Sequence, residues 1–339
     1  MLAEKHRSPK LVLSSPCRSW KALNHKGVIN MPDLASACRL ALAECLAVRA
    51  GDKVLIVTDT DLQPLGEAFF RAARELRAEA AAITMLPRDN HGQEPPEMVA
   101  AAMLKGQVVV LVTSRSLSHT RARRAANDAG ARIASLPGAT ADMLERTLAV
   151  DYDAMAAECE DYAAILTGGQ EVHLTTPAGT DLTFSIAGRR GHPDTGLYRR
   201  PGDFGNLPAG EAYIAPVEGT ARGILVIDGA MSGIGFLKEP LRIRVEEGRA
   251  VEVSGGEARA LEEILNRYGP ESRNIAELGI GLNPLAKLTG NVLEDEKVRG
   301  TVHIALGDNS TFGGRVEAPS HLDGILLRPR LSVDGQQVL

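Results

Sequence analysis

The sequence is poor in the features that mark several common classes of protein. Its 339 residues include four cysteines, Cys17, Cys38, Cys45 and Cys159, which stand far apart and form no C-x-x-C pair. This spacing fits neither a disulfide framework nor a zinc finger, and isolated cysteines of this kind are typical of small buried side chains in a reducing compartment. We therefore expect a cytoplasmic protein.

Long apolar runs and basic stretches are also missing. No run reaches the roughly 18 apolar residues of a membrane-spanning helix, and residues 1–31 lack the apolar core of a secretory signal. The net charge is -5, and no cluster of lysine and arginine is interleaved with aromatic residues, whereas nucleic-acid binding depends on neutralising phosphates. The sequence thus predicts neither a membrane partner nor a nucleic-acid partner. Residues 1–31 are interpreted as an N-terminal extension.

Two well-known cofactor motifs are absent. The first apolar strand ends in VTDTDLQPLGE and not in G-x-G-x-x-G, so a dinucleotide site has little support. The chain also contains no H-E-x-x-H, the helical signature of many zinc proteases. A metal site would therefore have to be assembled from separate segments of the chain.

The composition is otherwise that of a globular protein, with 44% hydrophobic and 24% charged residues. A chain of this length usually divides into two domains. Over residues 32–150, apolar runs such as QVVVLVTSRS alternate with segments of helical periodicity such as PLGEAFFRAARELRA. This alternation predicts a doubly wound α/β domain with helices on both faces of a parallel sheet.

The pattern changes in the second half, which we take as residues 151–339. A long helical segment ends at Gly168 and Gly169, and hairpin patterns follow, such as EVHLTTPAGTDLTFSIAG and LRIRVEEGRAVEVSGG. Both hairpins alternate apolar and polar residues with period two, and one helical segment, EARALEEILNRYG, interrupts them. The predicted second domain is therefore α+β and mostly antiparallel.

Most of the unusual chemistry lies in this second half. Two histidines and an aspartate occur within GTVHIALGDNSTFGGRVEAPSHLDG, and two glutamates are set in apolar surroundings in NLPAGEAYIAPVEGT and IAELGIGLNP. A carboxylate in such surroundings is costly unless it is paired, hydrogen-bonded or bound to a metal. The candidate metal ligands are Glu211, Glu277, His303, His321 and Asp323.

Three carboxylates and two imidazoles suit a borderline to hard divalent ion. Zinc, cobalt or manganese fits this mixture, and it could hold one ion or two. His321 and Asp323 are two positions apart, so on a regular strand both side chains face the same side. This spacing is right for chelation, and we expect all five side chains to converge.

These segments resemble a known family. NLPAGEAYIAPVEGTARGILVIDGA, IAELGIGLNP, DEKVRGTVHIALGDN and SHLDG are similar to the aminopeptidase T/aminopeptidase S group, the thermophilic metalloproteases, and occur in that family's order. The resemblance covers most of the second half. It implies an aminopeptidase that removes N-terminal residues from short peptides with metal-activated water, and it implies a homodimer.

The resemblance also assigns roles position by position. It makes Glu211 the first metal-binding glutamate and Glu277 the second, placed between two metals, and it makes His303, His321 and Asp323 the remaining ligands. It also places Glu296 and Lys297 near the site. One departure is Ser310, which stands where the better-characterised peptidases carry a tyrosine. This departure puts part of their catalytic apparatus in doubt.

A second resemblance supplies the alternative function. The 2,5-dihydroxypyridine 5,6-dioxygenases are similar in GDNSTFGG and HLDG, and this resemblance implies a single non-haem iron that cleaves an aromatic ring. In that group a histidine stands in the place of Glu277. The glutamate favours the hydrolase, although His303, His321 and Asp323 could themselves form a two-histidine, one-carboxylate iron site.

The main prediction from sequence is a metal-dependent hydrolase acting on a short peptide or other small molecule. In it, a metal lowers the pKa of bound water and Glu218, in PVEGT, acts as the catalytic base. The iron dioxygenase remains the alternative, and a non-catalytic binding protein is a third possibility. The arginine-rich loop 188–206 is either a lid that holds a substrate carboxylate or a solvated loop.

Overall fold

The computed structural model describes residues 33–339, so the predicted extension at residues 1–31 and Cys17 lie outside the described residues. The first part of the described chain alternates helices and strands. They are α1 (Leu34–Leu40), β1 (Lys53–Asp59), α2 (Gln63–Glu75), β2 (Glu79–Met85), α3 (Glu97–Met103), β3 (Val108–Val112), α4 (Arg121–Asp128), β4 (Arg132–Ser135), α5 (Ala141–Thr147) and α6 (Tyr152–Gly168). Asp33 caps α1 by accepting a hydrogen bond from the backbone N–H of Ser36.

The rest of the described chain is rich in short strands. They are β5 (Glu171–Thr175), β6 (Asp181–Ser185), β7 (His192–Asp194), β8 (Phe204–Asn206), β9 (Glu211–Ile214), β10 (Arg222–Ile227), β11 (Ala230–Met231), β12 (Gly235–Phe236), β13 (Leu241–Glu246), β14 (Arg249–Gly255), β15 (Ile275–Gly281), β16 (Val302–Gly307), β17 (His321–Leu326), β18 (Arg330–Val333) and β19 (Gln336–Gln337). Helix α7 (Ala258–Tyr268) follows β14, and the short α8 (Val292–Asp295) precedes β16. The two predicted hairpins form as β5–β6 and β13–β14.

Sheet one is parallel and has the order β2-β1-β3-β4-β8. Every residue of β3 is buried, because helices cover both faces of the sheet. Alternate residues serve different cores: Val54 and Ile56 join the main hydrophobic core, while Leu55 and Val57 join a smaller one on the opposite face. This is the three-layer arrangement that the alternating pattern predicted.

Two further sheets are antiparallel in each of their pairings. Sheet two has the order β14-β13-β10-β6-β5-β18-β19, and sheet three has the order β12-β11-β17-β16-β15-β9-β7. The predicted fold class, a doubly wound α/β part followed by a mostly antiparallel α+β part, is therefore confirmed. Every residue of β15 and β16, at the centre of sheet three, is buried.

The predicted domain boundary near residue 150 is crossed by two features. Sheet one takes its edge strand β8 from residues 204–206, and the main hydrophobic core extends from α1 to β18. The division into 32–150 and 151–339 stays a prediction. Among the helices of residues 33–339, none is long and apolar enough to cross a membrane.

Candidate metal centre

Four neighbouring strands of sheet three carry the five candidate ligands. Strand β17 carries His321 and Asp323, β16 carries His303, β15 carries Glu277, and β9 begins at Glu211. The antiparallel pairing β17-β16-β15-β9 thus brings together residues that are far apart in the sequence. That these residues hold a metal remains a prediction.

A small residue leaves room between two of the carboxylates. Ala305 on β16 lies opposite Glu277 on one side and opposite Asp323 on the other. The three positions form a row across the sheet, in which neighbouring side chains share one face. His321 joins this row along β17, since its Nε2 lies 3.3 Å from Asp323 Oδ1, as the spacing of two residues predicts.

The carboxylate of Glu277 joins the two histidines. Its Oε1 lies 3.2 Å from His303 Nε2, and its Oε2 lies 3.3 Å from His321 Nε2. His303 Nε2 is also 3.5 Å from Oε2 of Glu211. Glu277 is therefore the central member of the cluster.

Three groups of side chains in the described part of the chain have donor atoms within 4.8 Å of one another. They are Glu211, Glu277 and His303; Glu277, His321 and Asp323; and Glu296, His303 and Asp323. None of these groups, within residues 33–339, contains both histidines. The two-histidine, one-carboxylate set considered from the sequence is thus not formed as one group, because Glu277 stands between the imidazoles.

Burial makes the cluster costly without a cation. His303 is fully buried, and Glu211, Glu277 and Asp323 are 6%, 6% and 7% exposed. Oε2 of Glu211 and Nδ1 of His303 are buried without a hydrogen-bond partner. An unsatisfied buried carboxylate oxygen is strongly unfavourable. The donor set therefore fits a divalent ion.

Burial and the charges of neighbouring ligands shift the pKa values of the side chains in the cluster. Burial lowers the pKa of His303, but the hydrogen bond that its Nε2–H donates to Glu277 and the charge of Glu211 outweigh burial and raise the pKa to about 9. Burial also lowers the pKa of His321, but Asp323 and Glu277 together outweigh burial and raise this pKa well above its ordinary value. Burial raises the pKa of Glu277, yet the two histidines hold it below its usual range. An incoming metal ion must therefore displace protons from both imidazoles.

A backbone carbonyl fixes the orientation of the His321 ring. Its Nδ1 lies 2.8 Å from the carbonyl oxygen of Asp308, so Nδ1–H donates to this carbonyl and Nε2 faces Glu277 and Asp323. A backbone carbonyl on the far nitrogen is the usual device that fixes the ring of a metal-binding histidine.

Two glycines of β15 are required by close approaches. A Cβ at Gly279, which lies opposite His303, would be 2.0 Å from His303 Nε2. A Cβ at Gly281, opposite Glu211, would be 2.2 Å from the carbonyl oxygen of Val298. Gly279 therefore lets the imidazole of His303 lie against the backbone of β15. Gly281 lets the segment that carries Lys297 pack against the same strand.

Lys297 is a buried cation beside the cluster. Its Nζ lies 2.5 Å from Glu211 Oε1, 2.8 Å from Glu296 Oε1 and 3.5 Å from Asp194 Oδ2, and the side chain is 1% exposed. Burial lowers the pKa of Lys297, but the three carboxylates outweigh it and raise it well above the ordinary value. In the sequence, LEDEKVRGT is typical of a solvated acidic surface, and only the family resemblance placed Glu296 and Lys297 near the site.

Glu218, the predicted base, is engaged elsewhere. It forms an ion pair with Arg189 and accepts hydrogen bonds from Asn309 Nδ2 at 3.2 Å and from the backbone N–H of Arg315 at 2.7 Å. It belongs to none of the three donor groups found in residues 33–339. Strands β7 and β8 lie within the predicted loop 188–206. Glu218 ties Arg189, which precedes β7, to the loop between β16 and β17.

Sequence reasoning missed a row of rings beside the ligands. His192 stacks on Tyr213 with ring centroids 5.3 Å apart, Tyr213 meets Phe312 edge-on at 5.5 Å, and Phe312 meets His321 edge-on at 5.9 Å. Tyr213 lies two residues after Glu211 on β9, so both face the same side. This spacing is the only signal that the sequence offered.

His119 lies on the loop after β3 and was also missed. Partial desolvation lowers its pKa, and the positive charge of His321 lowers it further. His119 therefore interacts electrostatically with His321.

The chain matches the family model of 2,5-dihydroxypyridine 5,6-dioxygenase, NicX, over residues 33–339. The 2,5-dihydroxypyridine 5,6-dioxygenase of Pseudomonas putida KT2440 is 25% identical over 302 residues, which cover 80% of this chain and 84% of that protein. A solved structure of the 2,5-dihydroxypyridine dioxygenase from Pseudomonas putida KT2440 has a TM-score of 0.76 at 21% identity, covering 90% of this chain and 95% of that one.

The likeness to aminopeptidase T is structural. Wild-type AmpT from Thermus thermophilus has a TM-score of 0.66 at 16% identity, covering 90% of this chain and 99% of that one. This identity shows a shared fold alone. The predicted peptide hydrolase, with its peptide substrate, is wrong, because the family model and the Pseudomonas relative are both named as a 2,5-dihydroxypyridine 5,6-dioxygenase. Glu277 favours the hydrolase, whereas GDNSTFGG and HLDG carry the resemblance to the family that matches. The chain belongs to the 2,5-dihydroxypyridine 5,6-dioxygenase (NicX) family.

Proposed function

We propose that this protein is an iron-dependent dioxygenase that cleaves the ring of a small dihydroxylated aromatic of the dihydroxypyridine type. The observation that carries the proposal is the donor group of buried Glu277, partly buried His321 and buried Asp323 in a chain of this family. Iron(II) accepts imidazole and carboxylate ligands of this kind. The substrate class is taken from the name of the Pseudomonas relative.

His321 Nε2, Asp323 Oδ1 and Glu277 Oε2 would hold the ion, and His303 Nε2, 3.2 Å from the other oxygen of Glu277, would be a further ligand. A bound ferrous ion supplies the one-electron chemistry that lets dioxygen react with an aromatic ring. The protein's own contribution is to fix the donors: the carbonyl of Asp308 orients His321. Because Glu277 and Asp323 are buried in sheet three, bulk water is kept from these two carboxylates.

Glu277 makes this site richer in carboxylate than the family resemblance leads us to expect. With Asp323 it places two negative charges within reach of one imidazole. Two carboxylates balance the charge of one divalent ion, which favours a mononuclear site in the Glu277, His321 and Asp323 group. Lys297 neutralises part of the charge on the Glu211 side.

The test is iron content and oxygen use in the same preparation. Protein purified anaerobically without a chelating tag is loaded with iron(II), desalted and supplied with 2,5-dihydroxypyridine in an oxygen electrode. We expect about one iron per chain and oxygen uptake that stops when the aromatic is exhausted. His321→Ala should abolish both, whereas His173→Ala, at an exposed histidine paired with Asp181, should leave both intact. Iron binding without oxygen uptake on any dihydroxylated pyridine or benzene contradicts the proposal.

A further inference from the structure

Aromatic side chains are scarce in this chain, at 4% of residues, yet two of them stand beside the candidate ligands. Phe312 lies between His321 and Tyr213, with ring centroids 5.9 Å and 5.5 Å away. Both Phe312 and Tyr213 are half-buried, so each keeps part of its surface free. The row ends at His192, which stacks on Tyr213.

The position of Phe312 is built by hydrogen bonds. It ends a short 3-10 turn, Ser310–Phe312, in the loop between β16 and β17. The turn follows Asn309, which is fully buried; its Nδ2 donates to Glu218 and its Oδ1 accepts from the backbone N–H of Val316 at 2.9 Å.

The far side of the same loop is anchored to the same carboxylate. The backbone N–H of Arg315 donates to Glu218, which is also paired with Arg189 in the segment before β7. Phe312 is thus carried on a loop that Glu218 holds at both sides of the turn. This anchoring gives Glu218 a purpose that does not involve proton transfer.

A planar ring bound beside His321 would lie next to Phe312. Aromatic rings interact favourably when their centroids are 4.5–7 Å apart, in offset-stacked or edge-on arrangements. A saturated ring of similar size cannot make these contacts. Phe312 and Tyr213 therefore form a surface that distinguishes flat rings from puckered ones.

We propose that Phe312, backed by Tyr213, is the residue that selects a planar aromatic ring as the substrate of the candidate metal centre. This inference rests on the proposed function, since it concerns the substrate of the same site. Phe312 contributes no metal-binding atom, so its effect should fall on recognition and not on iron content.

The experiment compares two small ring compounds that share an N–C=O group. 2-Pyridone is flat and aromatic, whereas δ-valerolactam is its saturated, puckered counterpart. Binding of each to iron-loaded protein is measured anaerobically by calorimetry in the wild type, Phe312→Leu and Phe312→Tyr. We expect the wild type to prefer 2-pyridone, Phe312→Leu to weaken 2-pyridone about fivefold to tenfold with little effect on the lactam, and Phe312→Tyr to retain the preference.

Two controls separate recognition from folding. Phe70→Leu changes another half-buried phenylalanine, on α2 of the α/β part, and should leave the preference unchanged. Iron content should be equal in all variants. With 2,5-dihydroxypyridine, Phe312→Leu should raise KM more than it lowers kcat.

The inference is overturned if Phe312→Leu keeps the wild-type preference for 2-pyridone, or if the wild type shows no preference. Either result leaves the proposed function standing when oxygen uptake with 2,5-dihydroxypyridine is observed. Absence of that uptake, with or without binding of 2-pyridone, counts against the proposed function itself.

Discussion

Lys297 Nζ lies 2.5 Å from Oε1 of Glu211, and the two side chains are 1% and 8% exposed. This ion pair is buried at the edge of the candidate metal centre and extends to Glu296 and Asp194. Burial raises the pKa of Glu211, and the charge of Lys297 opposes that rise. The lysine thus lets several carboxylates converge on one side of the cluster.

Removal of this cation should be strongly destabilising. Lys297→Met keeps most of the apolar stem but leaves three buried carboxylates uncompensated. We expect a loss of about 3–5 kcal/mol in the free energy of unfolding, the usual cost of breaking a buried ion pair. Urea denaturation measures it. Lys287→Met is the matched control, because Lys287 is 56% exposed in its pair with Asp142 and should change stability by less than about 1 kcal/mol. Equal effects of the two substitutions contradict the assigned role.

Gly279 should be required for metal binding. In Gly279→Ala the added Cβ would fall 2.0 Å from His303 Nε2, so the imidazole or β15 must move. We expect metal affinity to fall by at least about tenfold, measured by cobalt(II) titration. Gly168→Ala is the control, because nothing lies within 4 Å of a Cβ there. Unchanged affinity in Gly279→Ala means that His303 takes no part in binding.

Metal affinity should increase with pH up to about pH 9. His303 has a pKa of about 9 and His321 a pKa well above its ordinary value, so both imidazoles must lose protons when a metal binds. A group with a pKa of about 9 is protonated by roughly a hundred to one at pH 7. Cobalt(II) affinity measured from pH 6 to pH 9 should therefore rise steadily, and His303→Ala should flatten the dependence. A profile that is level over this range rules out both histidines as ligands.

Glu277 should be needed for the site to hold its ion. Glu277→Ala removes the carboxylate that contacts both imidazoles, and iron affinity should drop by at least about tenfold. Glu277→His offers a neutral ligand and completes a two-histidine, one-carboxylate set with His321 and Asp323, so it should keep iron. Glu252→Ala, at an exposed glutamate paired with Arg244, should have no effect. Full iron retention by Glu277→Ala would make Glu277 a structural carboxylate.

Much of the fold follows from local patterns in the sequence. The period-two alternation of β5, β6 and β13 reflects strands with one buried face, and the apolar run of β3 reflects burial on both faces. The common orientation of His321 and Asp323 is also a local feature, because residues two positions apart on a strand face the same side. These features depend on neighbours in sequence and can therefore be predicted.

The features that local sequence patterns do not show depend on contacts between distant segments. Lys297 is buried because Gly281 admits its segment against β15, and no local pattern in DEKVRG shows this. Strand β8 pairs with β4 in sheet one, although residues 136–203 separate the two strands in the sequence. The contact between Phe312 and Tyr213 joins the turn between β16 and β17 to strand β9, which is distant in the sequence.

Isotope labelling is the most direct test of the proposed insertion of dioxygen into an aromatic ring. Iron-loaded protein is incubated with 2,5-dihydroxypyridine under ¹⁸O₂, and the ring-opened product is analysed by mass spectrometry. We predict that the product carries label from both oxygen atoms and that His321→Ala yields none. A ring-opened product whose added oxygen comes from water, or an aromatic that remains intact in the presence of iron and oxygen, contradicts the account.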